Sequence, residues 1–540
     1  MVESGLPPEA GQGGGASANP GMSRMVGSAM RMMIGTLTSR ILGLAREILT
    51  ARFFGATRSL DAFYVAYTLA NISRQLLAEG ALSASFVPVF SRVHRRDGAA
   101  AAKRLARQVL TILIGACALV VIAGVLLSPL LVAVIAPGFE EGQALLAVAL
   151  TRSLFPFLLL VSVGALAMGV LNSVGSFFVP AIAPAASNLA FIVIVLCLSR
   201  GVSTWTLVAA VLTGGACSMT LQWAWAGKMG MSLVPAKPDL ANPDLRETLG
   251  LFLPYAAGLS LNQVNPVISR VLGSYLEGGV ISVLNYADRV IQLPLGLFVI
   301  AVSQAVLPML SRFERNDREG FRVFIRDALR FNLFIVTPAA IGLIAASAPI
   351  VHVLFVRGAF GEWAWEATSA SLACYAAGLP GIACNTVLMR ALYARSLPKA
   401  AVSVTLFTVC ANLAIGVILM RFFSYRGLAM GSSCAFTGAA FFGAWQVSRN
   451  IGLKIGLFDI RWTARLAASS SAMAGALVLA LRAVPYPAES ALAVRFLWLS
   501  ALVAGGATVY AAATLLLGNP EWAWVRGAFA GKSKRSEKER

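Results

Sequence analysis

The chain has 540 residues, 58% of them hydrophobic and only 13% charged, with a mean hydropathy of +0.76. Soluble domains carry about 25% charged residues; a soluble core of this size would lack its polar coat, so the composition excludes that class and reads as a polytopic membrane protein. The formal charge of +20 invites a nucleic-acid reading that the charge distribution argues against.

In chain order, residues 1–28 are expected to be a disordered cytoplasmic N-terminus, rich in Gly, Pro, Ala and Ser and without the short apolar core of a cleaved signal peptide. Fourteen apolar stretches of spanning length follow, near 31–51, 61–91, 108–135, 143–171, 179–199, 204–225, 248–269, 279–310, 331–355, 367–389, 400–420, 427–445, 466–481 and 496–517. Pro137-Gly138, Asn172-Ser173, Pro235 through Pro243, Pro398, Pro485 and Pro487 mark breaks between them. With a cytoplasmic N-terminus, the cytoplasmic segments hold 30 Lys/Arg and the opposite loops nine, among them Arg52, Arg270, Arg357 and Arg495. This bias predicts both termini inside and an even number of spans. The basic excess then belongs to a surface facing the membrane, so no nucleic-acid partner is expected.

An internal repeat organises the spans. "FVPVFSRVHRRDG" (86–98) matches "VLPMLSRFERNDREG" (306–320), with Pro88 on Pro308 and Ser91-Arg92 on Ser311-Arg312, at an offset of 220 residues. "SNLAFIVIV" (187–195) resembles "CANLAIGVIL" (410–419), Asn188 on Asn412, at an offset of 224. Both Pro-Ser-Arg copies fall at the cytoplasmic end of an even-numbered span, so the repeats are parallel, a common transporter plan. The predicted fold is all-α: fourteen transmembrane helices in two parallel six-helix lobes, 29–228 and 248–450, joined by a cytoplasmic linker at 229–247. Two further helices at 460–518 and a basic cytoplasmic tail at 519–540 complete it.

Five of the 44 Lys/Arg remain inside spans: Arg40, Arg46, Arg74, Arg152 and Arg289. Arg152 lies near a helix end and can snorkel. An arginine near the bilayer centre costs at least about 2.5–3.5 kcal/mol, so the others need a watery cavity, an anion or a carboxylate. Tyr67, Asn71 and Arg74 share one helix face at i, i+4, i+7, and Asn285, Arg289 and Gln292 repeat that spacing in the equivalent span. Two such stripes facing each other would line one central cationic cavity. Arg40 and Arg46 are about 120° apart on an ideal helix, so they share it only if it is broad or Gly43 loosens the helix. The competing reading is internal pairing: Arg40 or Arg46 with Glu47, Arg74 with Asp61 or Glu79, Arg289 with Asp288. Such pairs can also act as gates. Because the guanidinium fork gives two parallel hydrogen bonds to phosphate oxygens, the chamber suggests a phosphorylated amphiphile.

No catalytic constellation appears. The seven cysteines lie in apolar runs without a CxxC, the two histidines, His94 and His352, are far apart in sequence, and there is no phosphate-binding P-loop. A non-enzyme without cofactor or metal is expected.

The same residues carry a resemblance. "SRILGLARE", "GATRSLDAFYVAYTLANISRQLLAEGALSASFVPVFSR", "APGF", "FPFLLL", "LNSVGSFFVPAIAPAASN" and "NYADRVIQLPLGLFVIAVSQAVLPMLS" resemble the MurJ/MviN-type lipid II flippases of the MOP exporter superfamily, over essentially the whole chain. The resemblance implies a MATE-like fold in the bacterial inner membrane. It also implies export of undecaprenyl-diphosphate-linked disaccharide-pentapeptide (lipid II) for peptidoglycan synthesis, with membrane lipids and cell-wall synthesis or division proteins as further partners. It makes Arg40, Arg46, Arg74 and Arg289 substrate-binding residues and Asp61 and Glu79 family acids, and it gives helices 13 and 14 a groove for the lipid tail. The chain departs from the family where "PNLLRR" reads "ANISRQ", with Ala70 for proline and Gln75 for an arginine. The acids of a sodium site found in some members are missing from spans 7 and 11, where Asn262, Gln263 and Asn412 stand out, so no sodium site is expected. The alternatives are another exporter of the superfamily, for drugs or O-antigen-type lipid-linked sugars, and a membrane scaffold for cell-wall enzymes. Drug exporters would favour cavity carboxylates, and a scaffold needs no arginine-lined chamber.

Overall fold

The computed structural model describes residues 38–75, 82–198, 201–260, 263–311, 313–314, 316–452, 454–457 and 459–522. The N-terminal segment 1–28, Glu79, Asn262, Arg312 and the tail from 523 onward lie outside them. The first half comprises α1 (38–54), α2 (Arg58–Arg74), α3 (Leu82–Leu126), α4 (Ser128–Ile135), α5 (Glu141–Leu154), α6 (Phe157–Ser173), α7 (Phe178–Cys197) and α8 (Thr204–Lys228). The second comprises α9 (Pro243–Ser260), α10 (Val264–Ser274), α11 (Val280–Pro294), a π-turn (Leu295–Val299), α12 (Ile300–Leu310), α13 (Arg318–Ala345), α14 (Ser347–Phe355), α15 (Glu362–Ala377), α16 (Leu379–Ala394) and α17 (Pro398–Ile451). The pair α18 (Ile460–Ala483) and α19 (Leu492–Leu516) follows.

Local chemistry sets the ends of these helices. Thr57 caps α2 by accepting from the Leu60 N–H, Asp317 caps α13 through Gly320, and Asp459 caps α18 through Arg461. Gly98 turns α3 back on itself at φ 81°, a conformation open to glycine without a Cβ penalty. Ser424 divides α17 in the same way. Among the described residues, eight helices are long and apolar enough to cross a membrane, or nine when α15 and α16, bent by 43°, count as one span. The described parts of the other apolar stretches form shorter helices.

The repeat read from Pro88 and Pro308 is visible in the order of elements. In each half a long helix runs into a short one (the second arm of α3 into α4; α13 into α14). A broken pair follows (α5–α6; α15–α16), then a packed pair (α7–α8; the two arms of α17). Lipid tails are as apolar as leucine, so helices associate mainly through close packing of small residues. A Cβ on Gly378 would lie 2.6 Å from Ser433, and one on Gly381 would lie 2.7 Å from Thr437, where α16 meets α17.

The distribution of cores shows where the halves join. One buried cluster runs through both, from Ala51, Leu60 and Phe63 to Tyr286, Phe355 and Leu379. At the end carrying the basic loops the cores are separate, one around Phe86, Leu105 and Leu166 and another around Phe321, Leu388 and Val447. α18 and α19 attach to the second half through Met473, Leu477 and Tyr510, whose hydroxyl donates to the Phe334 carbonyl at 2.7 Å. Their outward faces are apolar, with Leu479, Leu497 and Leu516 exposed.

Candidate functional site

Between the halves lies a cavity of about 620 Å³. Ten of the twelve residues singled out from sequence line it: Arg40, Arg46 and Glu47 from α1, Tyr67, Asn71 and Arg74 from α2, and Asn285, Asp288, Arg289 and Gln292 from α11. The remaining two are Asp61, which is elsewhere, and Glu79, which lies outside the described residues. α1 is continuous through Gly43, so Arg40 and Arg46 share the cavity because it is broad enough to wrap part of the helix.

Buried Glu47 is the hub. It accepts from Arg46 Nη2 at 2.8 Å and from the Tyr64 hydroxyl at 2.9 Å, both from its own half. From the other half Asn285 Nδ2 approaches at 3.5 Å, and Arg289 Nε lies 3.5 Å away in a charge contact without hydrogen-bond geometry. The expected Arg46–Glu47 pairing is therefore present. The expected Arg289–Asp288 pair is not: Asp288 accepts from Gln292 Nε2 at 2.6 Å, and Arg289 Nη1 donates to Gln292 Oε1 at 3.2 Å. Gln292, one turn on along α11, engages both side chains instead, its amide donating to Asp288 and its carbonyl oxygen accepting from Arg289. Arg74 Nε donates to Asn71 Oδ1 at 2.8 Å, one turn back on the same face. Arg152 is exposed and bonded to Ser128 Oγ at 3.0 Å, away from the cavity.

Asp61 corrects a sequence reading. Rather than facing Arg74, it reaches across to the start of α11. It accepts from the Gly279 N–H at 2.6 Å, the Ser282 N–H at 2.7 Å and the Ser282 hydroxyl at 2.6 Å. The residue preceding α11 is Gly279, which has no side chain to cap the helix. A carboxylate from the other half supplies the cap at the positive end of the helix dipole. Around this cap the backbones of the halves touch. The Ala359 N–H donates to the Arg52 carbonyl at 2.8 Å, and the Tyr286 hydroxyl donates to the Gly55 carbonyl at 2.8 Å. A Cβ on Gly55, at φ 59°, would lie 2.2 Å from the Ala359 carbonyl oxygen. These contacts join the two halves at this end.

At the other end Arg40 bridges the halves. Its Nη1 donates to the Gln292 carbonyl at 3.2 Å and packs where a Cβ on Gly296, in the π-turn, would lie 1.8 Å away. The clash would be with the far end of a flexible side chain, so Gly296→Ala is expected to leave the fold and membrane level unchanged while displacing Arg40. Faster thiol labelling of a cysteine placed at Ser39 checks this; an unchanged labelling rate would show that Arg40 holds nothing shut.

Sequence reading missed two residues. Arg270, counted among the opposite-side loop arginines, lies inside α10 and lines the cavity, which leaves eight on that side. It donates to Thr68 Oγ1 at 3.3 Å, the Ile281 carbonyl at 3.2 Å and Asn285 Oδ1 at 3.1 Å, and its guanidinium lies 5.8 Å from the Tyr64 ring centre. Asn188, noticed only as part of the repeat, faces Arg46 Nη1 at 3.4 Å and donates to the Ser39 carbonyl at 3.2 Å. Its repeat partner Asn412 is bonded within its own half, to Asn265 at 3.2 Å and Ser432 at 3.0 Å. The cavity thus gathers five arginines against two carboxylates, Glu47 and Asp288, among the described residues. Among those residues no group of three or more His, Cys, Asp or Glu could hold a metal ion.

The family description "Lipid II flippase MurJ" matches residues 50–495. The chain belongs to this family. A probable lipid II flippase MurJ of Rhizobium tropici is 34% identical over 74% of this chain and 76% of its own length. That of Vibrio cholerae serotype O1 is 31% identical over 92% and 96%. In fold, the chain is similar to a lipid II flippase MurJ solved in an inward closed conformation, with a TM-score of 0.75 at 24% identity over 92% of this chain and 99% of that one. An inward-facing multidrug transporter of the MATE family, in the MOP superfamily, has a TM-score of 0.64 at 16% identity, covering 79% and 98%. The architecture is that of a multi-pass membrane transporter. Where family members usually carry proline, α2 is helical through buried Ala70, and Gln75 lines the cavity where they carry a second arginine.

Proposed function

We propose that the chain flips lipid II from the cytoplasmic to the outer leaflet of the bacterial inner membrane, for peptidoglycan synthesis. The carrying observation is the converging set of arginines, five against two carboxylates, in one cavity between the halves. Among the described residues, Arg40 and Arg270 donate only to neutral acceptors there, so the site carries cationic charge available to a diphosphate. Arg40, Arg46, Arg74 and Arg289 bind the anionic head, with Tyr67, Asn71, Asn285 and Gln292 as polar contacts for sugar and peptide. No bond of the substrate is broken: the chain is a transporter, not an enzyme. A proton-coupled drug exporter would be expected to offer cavity carboxylates more than arginines.

Transport follows by alternating access. About 620 Å³ lies within the roughly 300–1,000 Å³ of pockets for drug-sized ligands, and a disaccharide bearing a pentapeptide is larger. The lobes 29–228 and 248–450 must part to admit it. Asp61 and the Gly55 contact close the outer end, Arg40 and Glu47 bridge nearer the inner end, and the acids Glu47, Asp61, Glu79 and Asp288 exchange partners as the lobes rock. The lipid tail stays outside, against helices 13 and 14 (α18 and α19).

The test is exposure of lipid II on the outer face of cells depleted of their own flippase. Restored exposure on expressing this chain is expected; none, with the chain present in the membrane, would overturn the reading. The proposed topology is fourteen spans with both termini cytoplasmic. A C-terminal alkaline phosphatase fusion is expected to be inactive and a C-terminal fluorescent protein bright, and the reverse pattern would sink it.

A further inference from the structure

A second cationic cluster lies at the end opposite the basic loops, apart from the cavity. Arg495, in the first turn of α19, places Nη1 3.3 Å from His352 Nδ1, and the Tyr486 hydroxyl lies 2.9 Å from the same nitrogen. Arg495 can only donate, so that nitrogen is its acceptor, and the Tyr486 hydroxyl shares it. Arg357, two residues beyond α14, folds back to donate to the Val353 carbonyl, next to His352. Arg52 meets the same loop: its carbonyl accepts from the Ala359 N–H, and a Cβ on Gly358 would lie 3.1 Å from its Cγ. Burial, then the guanidiniums of Arg495 and Arg52, push Arg357 below its ordinary value.

The guanidiniums of Arg357 and Arg495 therefore both engage the last turns of α14, and Arg52 flanks the same loop with its guanidinium 5.9 Å from the Phe53 ring centre; among the described residues none of the three makes an ion pair. Arg495 Nε is buried with no hydrogen-bond partner. Like charges held together repel unless an anion sits among them. The surroundings indicate which anion. His352 is edge-on to Trp365 at 5.2 Å, and Tyr486 is edge-on to Trp498 at 5.3 Å. Tryptophan and tyrosine gather at the level of lipid head groups, and below them the exposed apolar face of α19, including Leu497 and Val503, suits acyl or prenyl chains.

We propose that Arg52, Arg357 and Arg495 form a second anion site, which binds the phosphate of a lipid head group in the outer leaflet. The phosphate comes from a resident anionic phospholipid or from the diphosphate of a flipped lipid; only the second source rests on the flippase reading. The site is separate from the central cavity, which none of these three arginines lines.

The test counts bound lipid by native mass spectrometry on the full chain, in an Arg74→Ala/Arg289→Ala background that disables the central site. Phosphatidylglycerol and a polyprenyl diphosphate are titrated separately, with diacylglycerol as the phosphate-free control. Arg357→Gln/Arg495→Gln is expected to weaken phosphate-lipid binding by about tenfold, roughly 1.4 kcal/mol. Arg421→Gln/Arg426→Gln, at exposed arginines elsewhere on that face, should change nothing. A loss confined to phosphatidylglycerol assigns the site to resident lipid, and a loss confined to the diphosphate assigns it to the flipped lipid. Equal binding of both lipids by the variant and its background overturns the proposal. On the unsubstituted protein, phosphatidylglycerol or the diphosphate should slow phenylglyoxal modification of Arg357 and Arg495 in peptide maps. Protection by neither lipid overturns it independently of any variant's folding.

Discussion

A strain depleted of its own lipid II flippase is expected to stop growing when it carries only Arg74→Ala or Arg289→Ala, with the protein still inserted in the membrane. Arg289 touches Glu47 only at 3.5 Å, while Glu47 keeps Arg46 at 2.8 Å and the Tyr64 hydroxyl at 2.9 Å. Removing Arg289 therefore leaves that carboxylate partnered, and the fold survives. Arg74 donates to Asn71 on its own helix and lines the cavity. What disappears is a two-pronged contact to phosphate oxygens. At about 1.5–3 kcal/mol for each hydrogen bond to a charged group, losing two costs roughly a hundredfold or more in affinity for the head. Lysine keeps the charge and loses the planar fork, so Arg74→Lys and Arg289→Lys should grow poorly but better than alanine. Arg152→Ala, bonded outside the cavity to Ser128, should grow normally. Growth curves with membrane immunoblots decide the matter. Normal growth of both alanine strains removes the substrate-binding role; loss of growth together with loss of protein assigns these arginines to folding instead.

The parts of the site legible in the sequence were those written along a single helix. Tyr67, Asn71 and Arg74, and Asn285, Arg289 and Gln292, declare a polar face by spacing alone, and both faces line the cavity. Arg270 did not declare itself. The apolar run before it ends at Ser269, and hydropathy reads such an ending as a loop. Yet α10 runs on to Ser274, with Arg270 on the cavity wall and Leu272, Gly273 and Ser274 buried against protein. A hydropathy pattern reports which surface meets lipid and cannot separate a cavity wall from a loop. Asp61 was misread for a different reason. Its partners Gly279 and Ser282 are 218 and 221 residues away, and spacing along a helix carries no information about register between halves. A signal was present: a helix beginning after "EGG" has no residue of its own to cap it. Asn188 could have been found as a buried-side amide in the middle of an apolar span, at a position the repeat marks twice.

Asp61→Ala is expected to unlatch the outer end and trap the transporter away from the state seen here. The carboxylate holds two backbone N–H groups and one hydroxyl across the join, at 2.6–2.7 Å. Alanine removes all three bonds and leaves the start of α11 uncapped in a buried place. A loss of about 3 kcal/mol from this state alone would shift the balance between open and closed outer ends by more than a hundredfold, since each 1.4 kcal/mol is a factor of ten. Ser282→Ala removes only the hydroxyl and keeps the backbone donor, so its shift should be far smaller. Gly55→Ala should act like Asp61→Ala by another route. Its Cβ would meet the Ala359 carbonyl at 2.2 Å, and backbone cannot swing aside as a side chain can. The readout is a cysteine pair at Arg58 and Gly278, where a Cβ on the glycine would lie 2.2 Å from the arginine side chain, in a background without the seven native cysteines. Oxidation should cross-link this pair efficiently in the parent and in Ser282→Ala, and poorly in Asp61→Ala and Gly55→Ala. Growth of the depleted strain should fail for the last two, because a transporter that cannot close its outer end cannot return to load. Equal cross-linking in all four proteins would show that the cap closes nothing and that Asp61 serves only the stability of α11.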